Sequence, residues 1–208
     1  MGNRNSDRSW ALADEPMPIR LMATIWADSE GLHDDFATPT GVNAWLDAVG
    51  IDRADAATTR GEFLTARNLR DAVRRLAAHV TGDDRRAAES PASSVASVAD
   101  AVLTVNAAAS QRPILHLRLS GAALELSPES AVSPRIAGLA DVAYEAQHLL
   151  GENGAALRAC HAPGCVLYFV KTHPRREWCS VACGNRARAA RHYQTVRSAR
   201  AAHELTAR

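Results

Sequence analysis

Residues 160–186 read CHAPGCVLYFVKTHPRREWCSVACGNR and contain all four cysteines of the 208-residue chain. The cysteines form two close pairs, Cys160-x4-Cys165 and Cys179-x3-Cys183, which thirteen residues separate. Each pair can supply one edge of a tetrahedron, so two pairs at this separation suit a single Zn²⁺ ion. The spacing therefore predicts one structural zinc ion per chain, with the four cysteines as its ligands.

Two other arrangements compete with a four-cysteine zinc site. The cysteines could form disulfides, but the sequence shows neither an apolar export signal at its start nor an apolar run long enough to span a membrane. We therefore expect a cytoplasmic protein, without membrane attachment, whose thiols stay reduced. His161 and His173 lie close enough to replace a cysteine, but four thiolates already complete the shell. We expect both histidines in exposed loops.

The residues around the cysteine pairs predict a treble-clef finger. Residues 162–164, Ala-Pro-Gly, form a tight turn inside the first pair, and its backbone N–H groups can face the sulfurs. An apolar strand over residues 166–170 and a basic turn follow. Ser180 then caps a helix that runs from about Val181 toward the C-terminus and holds the second cysteine pair one turn apart. Knuckle, hairpin and helix in this order make the treble-clef arrangement.

Positive charge is concentrated in the C-terminal quarter of the chain. Residues 158–208 carry ten basic and two acidic side chains, a net charge of +8, whereas residues 1–157 carry −7. Four thiolates around Zn²⁺ give the site a formal charge of about −2, so the C-terminal module keeps about +6. A module this basic indicates a polyanionic partner such as DNA.

The arginines of the final helix form two stripes at 100° per residue. The stripe with Arg186 and Arg197 is partly apolar and can pack, and Trp178 is expected in the core of the finger. The other stripe and the loop before the helix supply the first candidates for phosphate contact. These are Arg175, Arg176, Arg188, Arg191 and His192.

Capping signals and periodicity predict that the region before residue 151 is mostly helical. The expected helices cover residues 38–49, 61–80, 95–105 and 134–150. The arginines of the second helix at positions 67, 70, 74 and 75 lie largely opposite its apolar residues, so we expect them on a solvated face.

Two other segments of this region predict β-structure. Residues 19–27 are an apolar run suited to a buried strand, although a short helix has the same length. Residues 114–119 and 123–126 alternate in polarity around Ser120-Gly121 and predict a β-hairpin, with His116 as an exposed strand residue. The fold class is therefore α+β: a mostly helical N-terminal domain with a small antiparallel hairpin, then a treble-clef finger that ends in a helix.

Three stretches of the C-terminal region resemble the CGNR zinc finger family. They are residues 160–165, the aromatic pair Tyr168-Phe169, and the run RREWCSVACGNRAR at residues 175–188. The family is named for Cys-Gly-Asn-Arg, which stands here at residues 183–186. The resemblance implies that the four cysteines bind zinc and that the finger follows an N-terminal α+β domain called ABATE. It also implies a stress-induced transcription regulator of bacteria.

The resemblance and the charge pattern together suggest domain limits and DNA contacts. We expect an ABATE-like domain at residues 17–151, with a ligand-sensing role, and the finger with its basic helix at residues 156–208. Within the family signature, Gly184 allows a close backbone approach, and Arg186 reaches either a phosphate or a carboxylate of the first domain. The candidate DNA-binding residues are Arg175, Arg176, Asn185, Arg186, Arg188, Arg191, His192 and Arg197.

The sequence leaves two functions open. The first is a stress-responsive, DNA-binding transcription regulator whose acidic domain binds a small-molecule effector or joins two chains into a homodimer. The second is a zinc-dependent protein-interaction module without DNA contact, because treble clefs serve both roles.

We expect no enzymatic activity. A four-thiolate zinc has no open coordination position, and the sequence lacks a phosphate-binding glycine loop, a Gly-x-Ser-x-Gly elbow and a His-Glu-x-x-His pair. A nuclease with His161, His173 and His192 as bases is the remaining catalytic alternative.

Overall fold

The computed structural model describes residues 12–54, 56–85 and 93–206. Its α-helices are α1 (Met17–Met22), α2 (Pro39–Val49), α3 (Arg60–Thr81), α4 (Val98–Ala109), α5 (Pro134–Gly151) and α6 (Val181–Thr206). Its antiparallel strand pairs are β1 (Ile25–Asp28) with β2 (Gly31–Asp34), β3 (Ile114–Ser120) with β4 (Ala123–Glu129), and β5 (Leu157–Ala159) with β6 (Tyr168–Val170). Single-turn 3-10 helices cover Asp35–Ala37 and Gly154–Ala156. This architecture confirms the predicted α+β class.

The helices begin and end at the signals that the sequence carries. The Thr38 hydroxyl accepts a hydrogen bond from the first turn of α2, and Gly50 ends that helix with a left-handed φ of 76°. A capping box of Thr59 and Glu62 opens α3. A serine hydroxyl caps each of α4 and α5. Because these signals are local, the helices lie within a few residues of their predicted limits.

Helix α3 is the central element of the body. Helices α1, α4 and α5 pack against it, and α2 also contacts it. Its buried side chains Leu69 and Val73 belong to one apolar core that also contains Trp45 of α2 and Leu139 of α5. The body is therefore a cluster of helices around α3.

Residues 19–27 do not form the single buried strand that the sequence suggested. They contribute the end of α1, a short connection and the start of β1. Proline occupies the start of α1, where the missing N–H removes no helical hydrogen bond. Ile19, Leu21 and Met22 are fully buried, so the apolar run marks the core but not the type of element.

Two of the four α3 arginines contradict the prediction of a solvated face. Arg70 is fully buried and Arg74 is 2% exposed. The Arg70 guanidinium forms an ion pair with Asp34 at the end of β2, and its Nε donates to Asp71 at 2.9 Å. An arginine is tolerated in a core when its donors are paired in this way, so Arg70 ties β2 to the central helix.

The predicted β3–β4 hairpin is confirmed, and it extends away from the core. Leu117 lies opposite Leu126 in the antiparallel register, and Gly121 adopts a φ of 64° in the turn. Every residue of both strands except Ser127 is exposed. His116 is an exposed strand residue, as expected.

The C-terminal region shares the apolar core of the body. Leu157, Ala159 and Tyr168 of the β5–β6 pair belong to the same buried cluster as the side chains of α1, α3 and α5. A second cluster contains the four cysteines and Phe169. The two regions therefore pack through apolar side chains, and the domain limits drawn from the sequence stay a prediction. Among the helices of the described residues, none has the length and apolar character needed to cross a membrane.

Candidate metal centre

The four cysteines converge from two parts of the C-terminal region. Cys160 and Cys165 lie in the loop that joins β5 to β6, whereas Cys179 precedes α6 and Cys183 lies in its first turn. The four Sγ atoms all lie within 4.8 Å of one another, and each residue is at most 5% exposed. Convergence of four buried thiols on one point makes this cluster a site that can hold a metal ion.

The distances between sulfurs suit a tetrahedral ion. A Zn–S bond of about 2.3 Å implies S···S edges of about 3.8 Å in a regular tetrahedron. The Sγ atoms of Cys165 and Cys179 are 3.8 Å apart, and those of Cys179 and Cys183 are 3.4 Å apart. Four soft thiolates are also the donor set that structural zinc prefers.

The electrostatics of the cluster favour a cation at its centre. Hydrogen bonds from the Cys165 and Cys179 thiols lower the pKa of the Cys160 thiol to about 2. The bond to Cys160 raises the pKa of Cys165 to about 12, and the pKa of Cys179 is raised as well. One thiolate thus obliges its neighbours to keep their protons, because close like charges repel. A divalent cation stabilises all four thiolates together.

The first cysteine pair is held by a knuckle turn. The N–H of Cys165 donates to the Ala162 carbonyl at 2.9 Å, and the N–H of Cys160 donates to the Leu167 carbonyl at 2.8 Å. Gly164 has a φ of 73°, a conformation that glycine adopts without strain. The Ala162 N–H also faces the Cys160 sulfur. The knuckle therefore lies within the hairpin loop, and not before the hairpin as the sequence suggested.

The second cysteine pair is fixed by the start of α6. The hydroxyl of Ser180 accepts a hydrogen bond from the Cys183 N–H at 3.2 Å, which is the predicted cap. A Cβ atom on Gly184 would lie 3.1 Å from the ring of Trp178, so glycine lets the indole pack against the helix. Trp178 in turn packs against the cysteine cluster, as expected for a core residue of the finger.

The last two residues of the signature make short-range contacts. Arg186 donates from Nη2 to the Cys183 sulfur at 3.1 Å, a partner that is neither the phosphate nor the first-domain carboxylate considered from the sequence. The Asn185 amide oxygen accepts a hydrogen bond from Arg188. The Arg186 contact places a guanidinium beside a candidate metal ligand, where it helps to orient the sulfur.

Arg176 serves the finger itself, which sequence reasoning did not anticipate. Its guanidinium forms an ion pair with Glu15, a residue 4% exposed in its side chain that precedes α1. It also donates to the carbonyls of Val170 and Cys179 at 3.0 and 3.1 Å. The remaining Glu15 oxygen accepts a hydrogen bond from the Val170 N–H at 3.0 Å. With these donors engaged, Arg176 favours a structural role over phosphate contact.

The other candidate DNA contacts are exposed and fall into two groups. Arg175 and Arg188 line a groove of about 380 Å³ at the start of α6, together with Ser180 and Gly184. Arg191, His192 and Arg197 lie farther along α6, where every residue from position 191 to 199 is exposed. The structure therefore gathers Arg175 and Arg188 beside the metal centre and places the later residues on a projecting helix.

The two histidines considered as alternative metal ligands lie outside the cluster. His161 and His173 are both exposed, and the sulfur atoms converge without them. The His173 ring accepts a hydrogen bond from the Arg175 N–H at 3.1 Å, so it helps to shape the basic turn.

Two residues of the body, Arg85 and Asp83, contact the finger, and no pattern in the sequence points to them. Arg85 donates from Nη1 to the carbonyls of Cys160 and Cys165 at 2.8 and 2.6 Å. The Tyr168 hydroxyl donates to Asp83 at 2.9 Å, and Asp83 also pairs with Arg85. The contacts between these residues and the finger span 75 or more positions. A local pattern cannot reveal such partners.

Arg74 completes the connection between body and finger. It donates from Nη1 to the Met22 carbonyl at 2.8 Å and from Nη2 to the Val166 carbonyl at 3.2 Å. Its burial lowers the pKa of the guanidinium to about 10, so the group stays protonated at neutral pH. One side chain thus bridges the end of α1 and the segment before β6.

Comparison with protein-family models finds two matches. Residues 156–195 match the CGNR zinc finger, which confirms the resemblance seen in the sequence. Residues 15–153 match the ABATE model, whose description is "Putative stress-induced transcription regulator". A search among curated proteins finds no significant match.

Proposed function

The chain belongs to the ABATE family and carries a CGNR zinc finger, and from this premise we propose that it is a transcription regulator that binds DNA through the finger. The proposed metal is one zinc ion per chain, held by Cys160, Cys165, Cys179 and Cys183. Zinc in a closed four-thiolate shell has no position for a reacting water, so its role is structural and the protein is not an enzyme. The proposed compartment is the cytoplasm, where thiols remain reduced.

The groove at the start of α6 is the observation that carries this proposal. Arg175 and Arg188 line it, and the N-terminus of α6 lies at the same end. Helix N-termini and arginines are the groups that most often bind phosphate oxygens. Their position beside the cysteines explains how a buried metal could control a surface contact, since the metal fixes the start of the helix.

The projecting part of α6 supports the same function. Arg188, Arg191 and His192 lie on adjoining positions of one face, and the helix around them is exposed. The major groove of B-DNA is about 12 Å wide and admits an α-helix. We propose that Arg175 and Arg188 contact phosphates while the exposed helix enters the groove, with Arg191 and His192 nearest the DNA.

A salt-dependence measurement tests this proposal. Fluorescence anisotropy with genomic fragments, at salt concentrations from low to physiological, should show binding that disappears when the metal is chelated. The double variant Arg175→Ala/Arg188→Ala should weaken binding across sequences and reduce the slope of log K against log salt by about 2. Arg118→Ala, an exposed arginine of the β3–β4 hairpin, is the matched control and should leave the slope unchanged. Absence of metal-dependent binding at low salt would overturn the proposal.

The engagement of Arg176 inside the molecule keeps the second candidate function in view. This predicted DNA contact stabilises the fold instead, so the basic surface of the finger is smaller than its net charge suggests. If the finger is a protein-interaction module, pull-down from nuclease-treated extract should retain acidic partners through Arg188 and Arg191. Loss of every partner on nuclease treatment would favour DNA.

We further propose that an effector binds in a cavity of about 390 Å³ between α3, the start of α4 and residues 82–85. Arg75 and His79, one turn apart on α3, line this cavity, and within the described part of the chain their side chains form no hydrogen bond or ion pair. Asp71, Asp83 and Asp84 also line the cavity. The lining therefore suits a small molecule that presents a carboxylate or phosphate to Arg75 and His79 and hydroxyl or amine donors to the aspartates. Arg85 also lines the cavity, and it donates hydrogen bonds to the knuckle carbonyls. A bound effector would therefore affect the metal centre through Arg85.

A thermal-shift screen tests the effector site. Small carboxylates and sugar phosphates should include compounds that raise the melting temperature of the wild type, and Arg75→Ala should remove that increase. Arg67→Ala, on the same helix but outside the cavity, is the control. Stabilisation that persists in Arg75→Ala would place the ligand elsewhere.

A further inference from the structure

The β3–β4 hairpin presents an apolar face that nothing in the described chain covers. In the antiparallel register, the same face carries three cross-strand pairs, which are Leu115 with Pro128, Leu117 with Leu126, and Leu119 with Leu124. The five leucines are 62 to 73% exposed. Six neighbouring side chains without a charge or a hydrogen-bonding group therefore face solvent.

The opposite face of the hairpin is mostly polar, with Ile114 as its one large apolar side chain. The His116 ring lies 3.3 Å from the Glu129 carboxylate, and Arg118 lies opposite Glu125. This alternation is the pattern of a sheet that buries one face and exposes the other. A two-stranded hairpin on its own is marginally stable in water, and exposed apolar patches of this kind mark interaction sites.

We propose that this face binds the same face of a second copy of the chain and forms a symmetric dimer. The partner surface must be flat and uncharged to match the six side chains, and a second copy supplies a surface of the same size and chemistry. In a twofold arrangement the central Leu117 and Leu126 of one hairpin meet those of the other. Isologous contacts of this type close on themselves, and two sheets packed face to face lie about 10 Å apart.

The apolar area is sufficient for such a contact. A leucine side chain exposes on the order of 100 Å² when it is fully in water. Five leucines about two-thirds exposed thus offer roughly 350 Å² per chain and about 700 Å² per dimer. The smaller specific interfaces bury about 1,200 Å² in total, of which about 65% is apolar in homodimers. The leucine face alone therefore provides most of the apolar area that a homodimer interface of this class contains.

Charge distinguishes this surface from the proposed DNA contacts. The face contains no basic residue, so it offers nothing to a phosphate backbone, and the basic helix α6 belongs to the other end of the chain. Dimerisation through the hairpin is therefore independent of whether the finger binds DNA.

Sedimentation velocity of the full-length, zinc-loaded protein tests the dimer without any nucleic acid. The wild type at about 10 µM, a concentration that suits a micromolar complex, should sediment with twice the chain mass of 22.3 kDa. Leu117→Glu/Leu126→Glu should sediment as a monomer, because like charges would meet across the twofold axis. The control is Arg118→Glu/Glu125→Arg, which reverses a neighbouring cross-strand pair on the polar face and keeps opposite charges opposite each other, and it should stay dimeric.

A charge-rescue experiment separates loss of the interface from loss of the hairpin. Leu117→Lys/Leu126→Lys should also be monomeric, and mixing it with the glutamate variant should restore a dimer, which only folded hairpins can form. A monomeric wild type at about 100 µM would overturn the proposal, as would a dimeric glutamate variant or a failure of the mixture to associate. Far-ultraviolet circular dichroism and metal content should match the wild type in every variant, since the leucines lie outside the core.

Discussion

The β5–β6 and β3–β4 hairpins have the same topology and opposite surroundings. β5–β6 has three residues in each strand, yet Leu157, Tyr168 and Phe169 are each 1% exposed. β3–β4 has seven residues in each strand, and its leucines lie in solvent. The shorter hairpin holds two cysteines in its loop and receives hydrogen bonds from Arg74 and Arg85. The length of the strands therefore does not determine how strongly a hairpin is stabilised. Contacts with residues outside the hairpin determine it.

The largest expected effect comes from removing a metal ligand of the short hairpin's site. Cys179→Ser should abolish metal binding and remove on the order of 10 kcal/mol of folding free energy from the finger. Because β5–β6 shares its core with α1 and α3, thermal unfolding of the helical body should also shift to lower temperature. Metal analysis and circular dichroism melting measure both effects.

Val181→Ser is the matched control for the cysteine variant. Val181 is 80% exposed and adjoins the same turn of α6, so its replacement should leave metal content and melting temperature unchanged. A body that melts at the wild-type temperature in Cys179→Ser would show that the two regions are energetically separate.

The next largest effect should come from Arg85→Ala. The substitution removes two donors to the knuckle carbonyls and the ion pair with Asp83, an expected loss of about 2 to 4 kcal/mol. Urea denaturation should show a lower midpoint, and a chelator should remove the metal faster. Arg75→Ala, in the wall of the same cavity, should change neither quantity. An unchanged midpoint in Arg85→Ala would mean that the short hairpin does not depend on the body.

A smaller and pH-dependent effect is expected for Tyr168→Phe. Loss of the hydroxyl that donates to Asp83 should destabilise the fold by about 1 kcal/mol at neutral pH. Burial and the neighbouring Asp83 carboxylate raise the pKa of Tyr168 above its ordinary value of 10.0. The folded state therefore holds the phenol proton more tightly than the unfolded state does. This contribution is complete below about pH 10 and is lost as the pH rises further.

The phenylalanine variant isolates that contribution, because it cannot ionise. Urea unfolding at pH 8 and at pH 11 should show a larger decrease in the wild type than in Tyr168→Phe. An equal decrease in the two proteins would contradict the role assigned to the buried hydroxyl.

The smallest effect is expected in the exposed hairpin. Leu119→Ala should change the free energy of unfolding of the monomer by less than about 0.5 kcal/mol, because the side chain is 73% exposed. Denaturation at concentrations below association measures this. A loss of several kcal/mol would show that the hairpin packs against the body in solution, and the contrast between the two hairpins would disappear.

The sequence predicted the features that rest on neighbouring residues. Thr38 with Gly50 and the helical spacing of the apolar residues at 61–80 are local signals, and they identify α2 and α3 correctly. The cysteine spacing likewise identifies the metal cluster, because each pair lies on one turn. These features need no knowledge of distant parts of the chain.

The features that the sequence missed rest on distant partners. Arg70 and Arg74 look like residues of a solvated helix face until Asp34, Met22 and Val166 are brought beside them by the fold. The alternation in β3–β4 predicts an apolar face but cannot say what covers it. The apolar run at residues 19–27 indicates that these side chains are buried, but it does not indicate the type of element. The proline at the start of α1 favours a helix there.

The contact between Glu15 and the finger limits how the protein can be dissected. A fragment of residues 156–208 would lack Glu15, Arg74 and Arg85, so their partners at Val170, Val166 and the two knuckle cysteines would lose buried hydrogen bonds. A group left without its partner in a buried site costs about 1 to 3 kcal/mol, a large share of the stability of a module of about 50 residues. Measurements on such an excised finger would describe a less stable module than the one in the full chain. A truncation or tag that removes or disturbs Glu15 would also destabilise the finger, because Glu15 pairs with Arg176.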